Sequence, residues 1–129
     1  MAHVELSIVE QFADQEVLDT ALDANLESPD GNTTYIFQVR IDNSANTSAV
    51  YLKIYDAASA ATVAVGTTAP DMIFPCAGES VAEFSLYPGA HIANELHMAC
   101  VTTPGTAGTT SPSSSVIVRL LTGDNDSLV

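Results

Sequence analysis

From Thr34 onward, apolar and polar positions alternate with a period of two, the repeat of a strand buried on one side. In TTYIFQVRID, Tyr35, Phe37, Val39 and Ile41 share one face, while Gln38, Arg40 and Asp42 share the other, joined by Ile36. In AVYLKIYD, Val50, Leu52 and Ile54 oppose Tyr51, Lys53 and Tyr55. The link between them, DNSANTS, is rich in residues that satisfy their own backbone in turns. Residues 34–55 therefore read as a hairpin-like pair. Three later stretches alternate in the same way, burying Ala82, Phe84 and Leu86, then Leu96, Met98 and Cys100, then Val116, Val118 and Leu120. Prolines at 70, 75, 88, 104 and 112 punctuate the pattern at strand ends or loops. Many short strands separated by turn signals predict an all-β sandwich or barrel.

The N-terminal third is less regular. Val4, Leu6 and Ile8 alternate like a strand, whereas VEQFADQEVLDTALDANLES suits a short helix and an extended arm equally. Residues 1–30 hold eight acids and no Lys or Arg. We divide the chain into an N-terminal strand and acidic arm (1–33), a β-sandwich core (34–122) and a polar C-terminal tail (123–129). The arm is expected to reach a neighbour through Val4, Leu6 and Ile8. Ala57, Ala58, Ala60 and Ala61 form a second expected contact, because small residues let β-modules approach closely.

Charge narrows the functional classes. Three basic residues face sixteen acids in 129 residues, a net charge of −13. Three cations assemble no basic patch, which argues against nucleic-acid and anionic-membrane partners. No apolar run has the length of a spanning helix. MAHVELSIVEQ lacks a basic region, so a secretory signal is not expected. Cys76 and Cys100 are accordingly expected to be reduced and structural. His91, Glu95 and His97 share a parity and invite a metal reading, but the spacing is weak, and both histidines are read as surface or loop residues. Asp124, Asn125 and Asp126 open like a calcium loop but have no closing Glu, and are read as a solvated tail. Ser113–Ser115 lack the Gly-x-Ser-x-Gly elbow. The expectation is a protein with no catalytic, cofactor-binding or metal residues.

One ordered set of motifs is more specific. IDNSAN and VYLKIYD (Ile41–Asp56) are followed by VGTTAPDMIFPCAG (Val65–Gly78), LHMACVTT (Leu96–Thr103), a Gly/Thr/Ser-rich loop (Gly105–Ser115) and VIVRLL (Val116–Leu121). This resembles a family of small β-sandwich proteins from tailed-bacteriophage and prophage structural operons. Its pattern is IDNxxN…VYxKLYD, VGTxxPxxxxPxPAG, GLxxAxTT and VxVxLL. The likeness covers about residues 34–122 and departs at PGAHIANEL, where the family has a glycine-rich turn. It implies a jelly-roll-like virion structural protein, a capsid decoration or cement protein. Such a module sits on the outer surface of the capsid and is made in the host bacterial cytoplasm. Its implied partners are the major capsid protein and itself, as a homotrimer. The alternatives are another virion component (head fibre, neck or tail) and a small carbohydrate-binding β-sandwich.

Overall fold

The computed structural model describes residues 15–30, 33 and 35–123, with Asp30 as backbone only. Its strands are β1 (Gln15–Leu22), β2 (Glu27–Asp30), β3 (Tyr35–Asp42), β4 (Val50–Ala57), β5 (Met72–Cys76), β6 (Val81–His91), β7 (Glu95–Val101) and β8 (Val116–Gly123). They form two four-stranded sheets. Sheet I has the order β1-β8-β3-β6 and sheet II the order β2-β7-β4-β5. All pairings are antiparallel. This interleaved order is a jelly roll, an all-β sandwich in which successive strands mostly change sheet.

The core lies between the sheets. Val39, Ile41, Val116, Val118 and Leu120 of sheet I meet Leu52, Ile54, Leu96, Met98 and Cys100 of sheet II. These are the inward positions that the alternation marks in β4, β7 and β8. Ala82, Phe84 and Leu86 of β6 pack against the same cluster.

Three expectations are corrected. First, residues 34–55 are not a hairpin: β3 belongs to sheet I and β4 to sheet II, so the 43–49 link crosses the sandwich. Second, the facing of β3 reverses partway along. Ile36 pairs with Thr122 and Gln38 with Leu121, so Phe37 is an extra residue, a β-bulge. Ile36 thus shares the core with Val39 and Ile41. Phe37 is fully buried outside that cluster, with its ring 6.2 Å from that of Tyr35.

Third, the sandwich does not begin at residue 34. β1 pairs along β8, and Val17 and Leu22 are core residues. β2 pairs with β7. Residues 15–30 are therefore edge strands of the domain, neither a helix nor a free arm. Val4, Leu6, Ile8 and the Asp124–Asp126 run lie outside the described residues.

Deleting residues 1–28 removes β1 and half of β2, strips one edge from each sheet and exposes β8 and β7. The truncated chain is expected to lose its cooperative thermal transition in circular dichroism. A melt like that of the full chain would show the two edge strands to be dispensable.

Candidate interaction surface

The two sheets present unlike outer faces. On sheet II the outward residues of β4 and β7 include Lys53, Tyr55 and His97, and all three are buried. The cover is loop. The Lys53 ammonium donates to the carbonyls of Gly108 (2.8 Å) and Thr106 (3.2 Å), holding the Gly/Thr/Ser-rich 102–115 segment over the sheet. The β4–β5 link leans on that segment, since a Cβ on Gly66 would collide with the Thr109 methyl. Burial without a counter-ion lowers the Lys53 pKa from its ordinary 10.5.

His97 is a correction to the sequence reading, being a fully buried mid-strand residue. Its Nε2 lies 3.1 Å from the Ala57 carbonyl and its Nδ1 2.6 Å from Ser28 Oγ. Through these two contacts the ring stitches β7 to its two neighbours, β2 and β4. Glu95 Oε1 stands 4.0 Å from Nε2. His91 belongs to sheet I, 5.1 Å ring to ring from Tyr35, so it does not join Glu95 and His97. Among the described residues, no group of three or more His, Cys, Asp or Glu converges as a metal site would require.

The motif residues form joints at the ends of the sandwich. The Asn43 side-chain amide donates to the carbonyls of Ser48 (2.9 Å) and Ala77 (3.1 Å) and accepts from Asn46 Nδ2 (2.8 Å). Asn46 then brackets Ser114, accepting from its N–H at 2.7 Å and donating to its carbonyl at 3.1 Å. Two buried amides thus bind the β3–β4, β5–β6 and β7–β8 links together. Gly78 is required there, because a Cβ would run into the Thr47 carbonyl. Beside the joint, hydrogen bonds from the Ser44 hydroxyl and amide hold the Asp42 carboxyl below the usual range. At the other end, Asp56 accepts the amides of Ala93 (2.9 Å) and Asn94 (2.8 Å). That closes the β6–β7 turn where the chain departs from the family's glycine pattern.

Next to the Asn46 joint lies a cleft of about 510 Å³, lined by Asn46, Thr47, Ser48, Thr110, Ser111 and Ser113 among others. Its polar lining is mainly hydroxyls.

Sheet I is different. Leu18, Ile117 and Val81 point outward and are 56%, 36% and 45% exposed. Sequence reasoning did not single them out, although each occupies the outward parity of its strand. Tyr87, also exposed, lies in an excursion of β6 toward its other end. In their midst Arg40 and Arg119 sit directly opposite one another across β3 and β8. Arg40 pairs with Glu83 (3.3 Å) and Arg119 with Glu16 (2.6 Å). The chain has three Lys and Arg residues, and the third is the buried Lys53. Both exposed cationic side chains therefore occupy one sheet face. Of the other expected contacts, Ala57 is half-buried at the end of β4, and Ala58, Ala60 and Ala61 are exposed on the β4–β5 link around a 3-10 turn.

No family model, curated protein or solved structure matches the chain.

Two outcomes follow from this geometry. Both cysteines are free and buried, and burial raises both thiols, that of Cys100 to about 12. Labelling by a thiol reagent at pH 8 should run at the rate of global unfolding, and fast labelling of the folded protein would refute the packing. The lowered pKa of Lys53 has a defined sign. Between its folded value and 10.5 the unfolded chain holds the proton and the folded chain does not. The Lys53 contribution to stability therefore rises with pH across that window. The stability of wild type relative to Lys53→Met should increase as the pH is raised from 7 to 10.5, measured by urea denaturation along that range. A flat difference would mean that Lys53 is not desolvated.

Proposed function

We propose that this chain is a bacteriophage virion structural protein that decorates the outside of the capsid as a cement protein. It works by protein–protein binding, with the major capsid protein and further copies of itself, as a trimer, for partners. The observation that carries the reading is the outer face of sheet I, where Leu18, Ile117 and Val81 stand exposed around an arginine pair while the opposite face is roofed by loops. Exposed apolar side chains grouped in this way among charged ones favour an interaction surface. The family resemblance supplies the identity of the partners. Its motif residues Asn43, Asn46, Lys53, Asp56 and Gly78 all serve as architectural joints here, as expected of motifs that encode a scaffold.

The mechanism is linkage. A protein that binds the assembled lattice better than free subunits stabilises the shell by mass action. A trimer touching several capsid subunits adds avidity to contacts that are individually modest.

The hydroxyl-lined cleft beside Asn46 favours a second reading, a small carbohydrate-binding sandwich. Hydroxyls and amides can hydrogen-bond a sugar, but Asn46 already spends its amide on Asn43 and Ser114.

The test is to mix the full chain with undecorated phage heads and with free major capsid subunits. Saturable co-sedimentation with heads, weaker binding to subunits and a raised disruption temperature of the heads are expected. Absence of binding to heads, or chemical-shift changes confined to the cleft on adding oligosaccharides, would overturn the assignment.

A further inference from the structure

Among the described residues the sandwich ends in four edge strands, β1 and β6 in sheet I and β2 and β5 in sheet II. An edge strand presents unpaired backbone N–H and C=O groups, and proteins shield such edges with charge, proline or short length. Three of the four are shielded. β1 carries Glu16 and Asp19. β2 has four residues, among them Glu27, Pro29 and Asp30. β5 has five residues and includes Pro75. β6 has eleven, and Val81–Tyr87 contains no proline and a single charge, Glu83, which Arg40 of β3 holds at 3.3 Å. Exposure alternates without a break from Val81 to Tyr87, so the segment is a regular strand up to Pro88. Its inward Ala82, Phe84 and Leu86 are only partly buried, at the rim of the core, and Phe84 lies 5.1 Å ring to ring from Phe74. Its outward Val81 and Tyr87 are exposed.

We infer that β6 of one copy pairs antiparallel with β6 of a second copy about a two-fold axis at Phe84, joining their two sheets I into one continuous sheet. The segment is self-complementary in this register. Val81 faces Tyr87, Ala82 faces Leu86, Glu83 faces Ser85, and Phe84 faces its own mate. Aromatic pairs and aromatic–β-branched pairs are favoured across strands, and like charges directly opposite are disfavoured. The neighbouring registers fail on this count or on backbone grounds. Centring on Glu83 sets two carboxylates face to face, and centring on Ser85 brings Pro88, which has no N–H, into the ladder opposite Ala82. The flanking acids stay clear of one another: Glu79 falls opposite Gly89 of the mate, and Asp42 stands one strand back on β3. This match to itself selects a second copy as the occupant. The contact is isologous, the same strand serving on both sides, and backbone hydrogen bonds at a sheet edge supply its affinity. It goes beyond the proposed function, since it uses neither the capsid nor the trimer. It is read in solution without particles, so its failure is distinguishable from failure to decorate heads.

The experiment uses the full chain. Sedimentation equilibrium should show wild type associating in pairs. Val81→Glu combined with Tyr87→Glu opposes like charges at both ends of the contact and should weaken association at least ten-fold. Val81→Lys combined with Tyr87→Glu opposes unlike charges there and should restore it, with circular dichroism confirming the fold throughout. Within one chain the two positions are roughly 20 Å apart, so rescue has to come from the mate. A second measurement mixes Val81→Cys chains with Tyr87→Cys chains under mild oxidation, the native thiols being buried. An 81–87 disulfide between the two variants is expected, since directly opposed strand positions fall within disulfide reach. A strict monomer at tens of micromolar, a trimer indifferent to both charge variants, or absence of the 81–87 bridge would overturn the inference.

Discussion

The constraint on which the rest of the molecule turns is the ammonium of Lys53. It projects from the middle of β4 on the outward side of sheet II and is shut off from solvent. A buried cation must be supplied with acceptors, or the desolvation cost stands uncompensated. Among the described residues no carboxylate pairs with it. The chain brings instead the carbonyls of Thr106 and Gly108, at the tip of a long Gly/Thr/Ser-rich loop. That loop must therefore lie on sheet II, and the β4–β5 link closes against it. The middle of sheet II is roofed as a consequence, with Ile73 of β5 still exposed, while Leu18, Ile117 and Val81 are exposed on sheet I. The asymmetry between the two faces, on which the functional reading depends, originates in this placement of a single charge.

The two buried asparagines perform a related service at the end of the sandwich. A jelly roll crosses repeatedly between its sheets, so its links must be pinned to one another or the sheets can slide. Asn43 and Asn46 pin three links with side-chain amides that imitate backbone donors and acceptors. Because both groups are desolvated, losing one leaves its partners unpaired, which costs about 1–3 kcal/mol for each buried group. Family-like motifs of this kind mark where the chain must turn and be held.

How much of this was legible in the sequence varies from element to element. The inward faces of β4, β7 and β8 follow from period-two alternation, because the irregularities of their ladders fall on the partner strands and leave their own facing unbroken. β3 does not obey it across its full length, since the bulge at Phe37 inverts the facing and a bulge has no compositional mark. β1 was ambiguous for a different reason: as an edge strand it buries only Val17 and Leu22 deeply, and its outward Glu16, Leu18 and Thr20 blur the repeat. Pairing between β3 and β8 rather than β3 and β4 is a long-range property, invisible to local pattern. The open face was equally hidden. Leu18 and Ile117 read as ordinary strand residues, and their exposure depends on what covers the other sheet. Burial of Lys53 and His97 ran against residue type, because the covering loop lies some fifty residues further along the chain from Lys53.

The charge distribution links these observations. With sixteen acids and three cations, copies of this protein repel one another over most of their surface. Positive side chains reach the surface at the Arg40–Arg119 pair on sheet I. Each arginine already holds an acid of its own sheet, Glu83 or Glu16. Exposed pairs of this kind contribute on the order of 0–1 kcal/mol, so neither arginine is locked to its acid. The aliphatic stems of the arginines and the neighbouring Leu18, Ile117 and Val81 provide apolar area on the same face. Affinity on such a face comes mainly from burying that area, and orientation comes from the paired charges. Exposed apolar side chains and both surface arginines coincide on sheet I, and the loops held by Lys53 cover the middle of sheet II.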